Sequence, residues 1–273
     1  MFRDILVHVD GSDAAPARIR LALGICGASK ARLTGLHVTP PADVEPVYKP
    51  SQIEAASAAM EINLTADAQM AEAAFQHETV DAMVETAWSS VYGDVAPQIS
   101  HAARYTDLVM VGQYEWQGPV PMHPLPIAHT IAVHCGRPLL VVPAGFAAKE
   151  LQSATIAWDG SRECVRAVHD AIPLLKRMGS VQVATIDRPV EGERRDASAL
   201  IDHLARHGIK LSATAPIYPH GGEHKALLST LAELPSDLLV MGAYSRPEWF
   251  EFLFGGATLS ILTQTKSVVL LSH

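Results

Sequence analysis

Short apolar runs alternate along the chain with segments in which apolar residues recur at helical spacing. The runs are almost uninterrupted, which is typical of strands that helices cover on both faces of a parallel sheet. The pattern therefore predicts an α/β fold in which strands and helices alternate with right-handed crossovers. Two helical stripes, one in each half, follow the motif Asp-Gly-Ser: Ile19, Ala22, Leu23 and Cys26, then Val165, Val168, Ile172 and Leu175.

The chain contains an internal repeat, because three segments recur in the same order. Asp10 and Asp159 each open an Asp-Gly-Ser motif after an apolar run, and they lie 149 residues apart. Gly112 and Gly242 each close a run that begins with Asp-Leu, and they lie 130 residues apart. The first copy therefore holds 19 more residues between these landmarks than the second copy. The third pair of matching segments is 137–143 and 266–272.

Each copy is predicted to be a doubly wound domain with a five-stranded parallel sheet, covering residues 1–146 and 152–273, with a linker at 146–152. The closing strands, 139–143 and 268–271, are rich in valine and leucine. Such strands are costly to leave unpaired at an edge, so we expect the two domains to pack there as an intramolecular pseudo-dimer. The other predicted strands are 32–38, 82–88, 181–186 and 209–215, and the other predicted helices are 52–76, 91–104, 197–207 and 224–234.

Composition limits the class of protein and its partners. Hydrophobic residues make up 48% of the 273 residues and charged residues 18%, which excludes a disordered chain. The net charge of −8 disfavours nucleic acid and anionic membranes as partners, and no apolar run reaches the roughly 20 residues of a membrane helix. Three scattered cysteines and the lack of a signal segment predict a reducing, cytoplasmic location.

The loops after the first and fourth strands are the candidate site, because ligands of open α/β sheets bind where the strand order reverses. In the second half these loops hold Asp159 and the segments 242–246 and 255–258. Their glycines let the backbone approach a phosphate, and the helix that follows points its first N–H groups at it. Arg246 can add a charge and Thr258 a hydroxyl. The alternative is that Asp159 only caps a helix and the glycines only form turns.

These landmarks together resemble the universal stress protein family. The fourth strand ends in Val240-Met241-Gly242, and nine residues separate Ser245 from Gly255. This spacing is similar to the family's nucleotide loop, which reads G-x2-G-x9-G-[ST]. The resemblance covers both halves and implies a tandem protein with two adenine nucleotide alpha hydrolase-like domains. It also implies a role in the stress response, ATP binding in some members, and homodimers of chains.

The resemblance assigns nucleotide contacts to the second half, residue by residue. Asp159 would face the adenosine, and Thr185 and Met241 would line the nucleoside pocket. Two positions depart from the family's loop, because Ser245 replaces the second glycine and Gly256 replaces the serine or threonine. The implied ligand is ATP, ADP or AMP, with or without Mg²⁺. The residues that would hold ribose and phosphates are Gly242, Ser245, Arg246, Gly255, Gly256 and Thr258.

The first half departs much further from this loop. Glu115 stands at the second glycine, and four prolines follow within residues 117–126. Proline has no N–H to offer a phosphate, and a glutamate repels one. We therefore interpret Asp10 and Ser12 as structural and expect adenine nucleotide to bind in the second half only.

Other chemistry is weakly indicated. The pairs His203/His207 and His220/His224 have the i, i+4 spacing of zinc ligands, but no third ligand accompanies them, and solvent-facing side chains are the preferred interpretation. The motifs of serine hydrolases, P-loop enzymes and dinucleotide-binding domains are absent, so no catalytic residue is assigned. Three classes stay open: a nucleotide-responsive regulator, which we prefer, a module that binds an unidentified protein partner, and a slow ATPase.

Overall fold

The computed structural model describes residues 1–42, 50–113, 127–186, 197–217, 234–243, 262 and 265–273. The strands and helices of the first half are β1 (Asp4–His8), α1 (Ala15–Ser29), β2 (Arg32–Thr39), α2 (Pro50–Thr79), β3 (Thr86–Tyr92), α3 (Val95–Ala102), β4 (Leu108–Gly112), α4 (Ile127–His134) and β5 (Leu139–Val142). Those of the second half are β6 (Ser153–Trp158), α5 (Arg162–Leu175), β7 (Ser180–Ile186), α6 (Ser198–Arg206), β8 (Leu211–Ile217), β9 (Leu238–Gly242) and β10 (Val268–Ser272).

One ten-stranded sheet runs through both halves, in the order β3-β2-β1-β4-β5-β10-β9-β6-β7-β8. The second half therefore repeats the first in reverse order. All neighbouring strands are parallel except β5 and β10, which run antiparallel with Val141 opposite Val269. A pseudo-twofold axis passes between these closing strands, which confirms the predicted pseudo-dimer. The domain boundaries 1–146 and 152–273 stay predictions.

Helices cover both faces of the sheet, and each face has its own hydrophobic core. Successive residues of a strand point to opposite faces. In β1, Ile5 and Val7 join the cluster that contains the buried residues of α1, whereas Leu6 joins the cluster on the other face. Because both sets of positions are apolar, the inner strands read as continuous apolar runs. The doubly wound α/β fold predicted from that pattern is confirmed.

The aspartates that precede β4 and β9 accept hydrogen bonds from the backbone at the beginning of their own half. Asp107 Oδ2 accepts hydrogen bonds from the backbone N–H groups of Arg3 and Asp4, at 2.6 and 3.2 Å. Asp237 Oδ2 makes the same pair of bonds, at 2.9 and 3.0 Å, to the two residues that begin the second half of the sheet. This part of the repeat is therefore explained by the fold alone.

The third strand of each half begins later than predicted. The predicted range 82–88 is wrong at both ends, because β3 begins at Thr86 and runs to Tyr92. Both third strands lie at edges of the sheet, so they lack the continuous apolar run that marks an inner strand. Gly93, with φ at 138°, then turns the chain toward α3. At the opposite edge, β8 begins at Leu211 rather than at residue 209.

Two details of the first helix of each half stand out. Ser161 caps α5 by accepting the N–H of Cys164 at 3.2 Å, whereas α1 begins at Ala15 with no side-chain cap. Val165 was expected in the buried stripe of α5 but is 50% exposed, because Cys164 and Ala167 face the sheet in its place.

Most of the predicted helix at 224–234 lies outside the described residues. No helix in the described part of the chain combines the length and apolarity needed to cross a bilayer.

Candidate functional site

In each half the strand order reverses between the first and fourth strands, β1 and β4 or β6 and β9. Parallel strands end at the same edge of a sheet, so Asp10 lies near Gly112, and Asp159 lies near Gly242. Ligands of doubly wound sheets bind at such a reversal. We call these places the first switch point, at the ends of β1 and β4, and the second switch point, at the ends of β6 and β9.

At the second switch point, Asp159 orders the start of α5. Its Oδ1 accepts hydrogen bonds from the N–H and the hydroxyl of Ser161, at 2.9 and 2.6 Å. Gly160, with φ at 72°, makes the tight turn between them. Ser161 in turn caps the helix, so the Asp-Gly-Ser motif has a structural role whether or not a ligand binds here.

The structure brings four of the nine predicted nucleotide-contacting residues to this edge of the sheet. Thr185 lies beside Trp158 in the β6–β7 register, one residue before Asp159. Met241 is only 6% exposed, and its side chain packs in the hydrophobic core beneath the edge. Gly242 ends β9, and a Cβ on it would lie 2.5 Å from the backbone nitrogen of Cys164. Close packing of α5 therefore requires glycine at position 242 independently of any phosphate.

The other predicted contacts lie outside the described residues. They belong to the segment after β9 for which the sequence predicts a phosphate-binding loop. Their roles stay predictions: Ser245, Arg246, Gly255, Gly256 and Thr258.

The first switch point holds a buried arginine. Arg18, on α1, is 1% exposed, and its Nε donates a hydrogen bond to the carbonyl of His8 at 2.8 Å. Its Nη2 lies 3.0 Å from Asp10 Oδ1, an ion-pair contact, and a Cβ added to Gly112 would collide with its Nη1. The guanidinium therefore joins the ends of β1 and β4. Burial disfavours ionisation of Asp10, but Arg18 and then the Ser12 hydroxyl outweigh it and hold the pKa of Asp10 below its usual value.

Two histidines and a second aspartate complete this polar cluster. His37 is 2% exposed, and its Nδ1 donates a hydrogen bond to the carbonyl of Val9 at 3.0 Å. Asp67, on α2, accepts the N–H of Gly11 at 2.8 Å and lies 3.9 Å from His37 Nδ1. His8 is buried, and desolvation together with the charge of Arg18 lowers its pKa to about 4. The first switch point is thus filled by side chains of its own half.

The second half has smaller side chains at the equivalent positions. The repeat offset of 149 residues places Ala157 opposite His8 and Ala167 opposite Arg18. The strand registers place Thr185 opposite His37. At these three described positions two alanines and a threonine therefore replace two histidines and an arginine.

Sequence reasoning did not identify Arg18. Two features of the sequence indicate that this arginine is unusual. It lies beside Ile19 within the apolar part of α1, and the repeat aligns it with Ala167. A charged residue in a buried stripe needs a partner, and Asp10 was the acidic residue already known to lie at that strand end.

The structure describes one of the two histidine pairs. The rings of His203 and His207 lie 4.7 Å apart in an edge-to-face arrangement. Within the described ranges, no three histidine, cysteine, aspartate or glutamate residues group as metal ligands would. His220 and His224 lie outside those ranges.

Comparison with known proteins identifies the relatives of the chain. The family model described as the universal stress protein family matches residues 1–143. The crystal structure of a universal stress protein from Archaeoglobus fulgidus DSM 4304 superimposes with a TM-score of 0.66 at 16% identity, covering 98% of this chain and 95% of the other. A functionally unknown protein from Pseudomonas aeruginosa PAO1 superimposes with a TM-score of 0.59 at 16% identity, covering 99% and 92%. No curated protein matches the sequence significantly.

Proposed function

The chain belongs to the universal stress protein family, and from that premise we propose that it binds one adenine nucleotide, at the second switch point. The observation that supports this most strongly is the contrast between the two switch points. The first is filled by Arg18, His8 and His37, whereas the second carries Ala167, Ala157 and Thr185 in their places.

Without an arginine and two histidines at these positions, a nucleoside could approach Asp159 at the second switch point. Asp159 is held by two bonds from Ser161, so its carboxylate is fixed in position before a ligand arrives. A fixed carboxylate can accept hydrogen bonds from ribose hydroxyls without a further ordering cost. Thr185 is partly exposed at the same edge and adds a hydroxyl.

The phosphates are proposed to lie on the loop after β9. Gly255 and Gly256 would admit them to the backbone N–H groups, and Arg246 and Thr258 would add a charge and a hydroxyl. ATP, ADP and AMP share the nucleoside that the switch point would hold. Mg²⁺ would accompany ATP through its phosphates.

We assign the protein a regulatory role rather than an enzymatic one. Bound nucleotide stabilises the form that binds it, so nucleotide level would set the stability or assembly of the second half. Rapid phosphoryl transfer needs a positioned metal, water and charge stabilisation, and among the proposed contacts only Arg246 and Asp159 carry a charge. We therefore rank a slow ATPase below binding. The cytoplasm is proposed as the location because Cys26, Cys135 and Cys164 are free and buried.

A protein-interaction module is the second candidate. Ser245 and Gly256 favour it, because they depart from the family's nucleotide loop at two positions. Its partner would be an unidentified protein or a second copy of the chain.

Calorimetric titration of ATP tests the proposal. We expect one site per chain in the parent and none in Gly256→Val, because losing two N–H bonds to a charged oxygen costs roughly 3 to 6 kcal/mol, enough to abolish micromolar binding. Gly145→Val is the matched control, since a Cβ there meets no atom within 4 Å, and it should bind as the parent does. A parent that binds no adenine nucleotide, and that purifies without one, would favour the interaction module.

A further inference from the structure

We propose that Arg18 confines nucleotide binding to the second half, because its guanidinium already occupies the first switch point, where a ligand would otherwise bind. The inference rests on the proposed nucleotide site and adds a cause for its asymmetry. Both halves have the same fold, the same Asp-Gly-Ser turn and the same glycine at the end of the fourth strand. They differ in what lies between those two landmarks.

The guanidinium of Arg18 contacts the ends of both strands. Nε is bonded to the carbonyl of His8, Nη2 is paired with Asp10, and Nη1 lies against Gly112. The side chain is 1% exposed, so a ligand that entered the space between Asp10 and Gly112 would have to displace it. Moving it would leave either a buried guanidinium without its partners or an empty space beneath the ligand, and both are costly.

Arg18 also takes up the carboxylate that a nucleoside would need. A guanidinium presents planar N–H donors, and ribose hydroxyls are donors too, so both compete for Asp10. The arginine holds this position within the chain and loses no translational freedom by doing so, whereas a free ligand does. Asp10 is therefore paired before any ligand arrives.

At the second switch point the equivalent side chain ends at its Cβ. Ala167 is fully buried, and the backbone of α5 approaches Gly242 directly. In the first half the guanidinium lies where that close approach would otherwise occur. In the first half the Arg18 side chain therefore lies between α1 and the end of β4. In the second half α5 packs directly against the end of β9.

This explanation differs from repulsion of phosphate by Glu115 and the prolines that follow it. Repulsion would exclude ATP from the first half but would not exclude adenosine, which carries no phosphate. Occupation by Arg18 excludes both. Adenosine is therefore the probe that separates the two causes.

The first test moves the arginine into the second half. Ala167→Arg should weaken ATP binding by about 100-fold or more, the loss of two hydrogen bonds to charged groups. Val165→Arg is the control, because it adds the same residue to the same helix at a side chain that is 50% exposed, and it should leave binding unchanged. A folded Ala167→Arg variant that binds ATP like the parent overturns the inference. A parent that binds neither ATP nor adenosine overturns the proposed function instead.

The reciprocal test covers the case in which Ala167→Arg does not fold. The triple variant Arg18→Ala, His8→Ala, His37→Thr, which copies the second half, should bind one more adenosine per chain than the parent does. The double variant His8→Ala, His37→Thr, which keeps Arg18, should bind no more than the parent. No additional adenosine site in a folded triple variant, or an additional site already present in the double variant, overturns the inference. This readout counts sites relative to the parent, so it holds whatever the parent itself binds.

Discussion

Ala167 stands on α5 at the position that Arg18 occupies on α1, eight residues after the aspartate that follows the first strand of each half. Arg18 places a guanidinium between the ends of its two strands, whereas the side chain of Ala167 ends at its Cβ and α5 packs directly against Gly242. Two copies of one fold have thus diverged where ligands of such folds bind, while the sheet that joins them has kept its symmetry.

The stability of the protein should fall with acid in a way that depends on His8. Its pKa is lowered to about 4 in the folded chain, chiefly by desolvation. An unfolded histidine has a pKa near 6.5, so between about pH 6.5 and 4 the unfolded chain binds the proton more readily. We expect His8 to remove roughly 3 kcal/mol of unfolding free energy across this window as pH falls.

His8→Ala, which copies Ala157 of the second half, should reduce the change in unfolding free energy between about pH 6.5 and 4. Urea unfolding of parent and variant at pH 4, 5, 6 and 7 measures the difference. Parallel profiles for the two proteins would show that His8 has an ordinary pKa.

Alanine should be tolerated less well at Gly242 than at Gly112. A Cβ on Gly242 meets the backbone of α5, which has to shift as a whole, whereas a Cβ on Gly112 meets the end of the Arg18 side chain. We expect Gly242→Ala to cost about 3 kcal/mol and Gly112→Ala about 1 kcal/mol of unfolding free energy. Denaturant unfolding of both variants checks the order, and equal costs would contradict the contrast in packing.

The pairing of β5 with β10 should couple the stability of the two halves. Leu270 lies opposite Leu140 across this antiparallel pair, and both are fully buried. Leu270→Ala should cost about 3 kcal/mol and should raise hydrogen exchange in β5 as well as in β10. Val165→Ala, at a half-exposed site, is the control. Exchange that rises in the second half alone would show that the halves are stable independently.

Hydrolysis of ATP should be slow or absent. Kinases turn over at about 1 to 100 per second, and the proposed site supplies few of the groups on which that rate depends. We expect the purified protein to stay well below 1 turnover per second, measured as phosphate release with and without Mg²⁺. Faster turnover that Gly256→Val abolishes would assign the second switch point an enzymatic function.

The inner part of the fold was predictable from the sequence because its strands are buried on both faces. Leu6 and Val7 point to opposite cores and are both apolar, so the run around them marks a strand without further information. The edge strands were placed less well, since β3 mixes polar and apolar residues and gives no such run. The repeat also predicted the pairing of the halves, because a valine-rich closing strand in each copy needs a partner.

The site was predictable only in outline. Asp159 and Gly242 were found because they recur in both halves, yet the recurrence reflects turn formation and helix packing as well as any ligand. Arg18 was missed because its importance is a tertiary effect, in which one helix places a charge between two strand ends. Comparing the two copies position by position, as at residues 18 and 167, would have exposed it.

The most direct test of the nucleotide site is to find where a nucleotide attaches. Irradiation with 8-azido-ATP, followed by mass spectrometry of the labelled peptides, reports the half that holds the base. We predict labelling that unlabelled ATP suppresses and that maps to residues 153–273. ATP-suppressed labelling within residues 1–142 would show that the first switch point is the nucleotide site and that Arg18 does not close it.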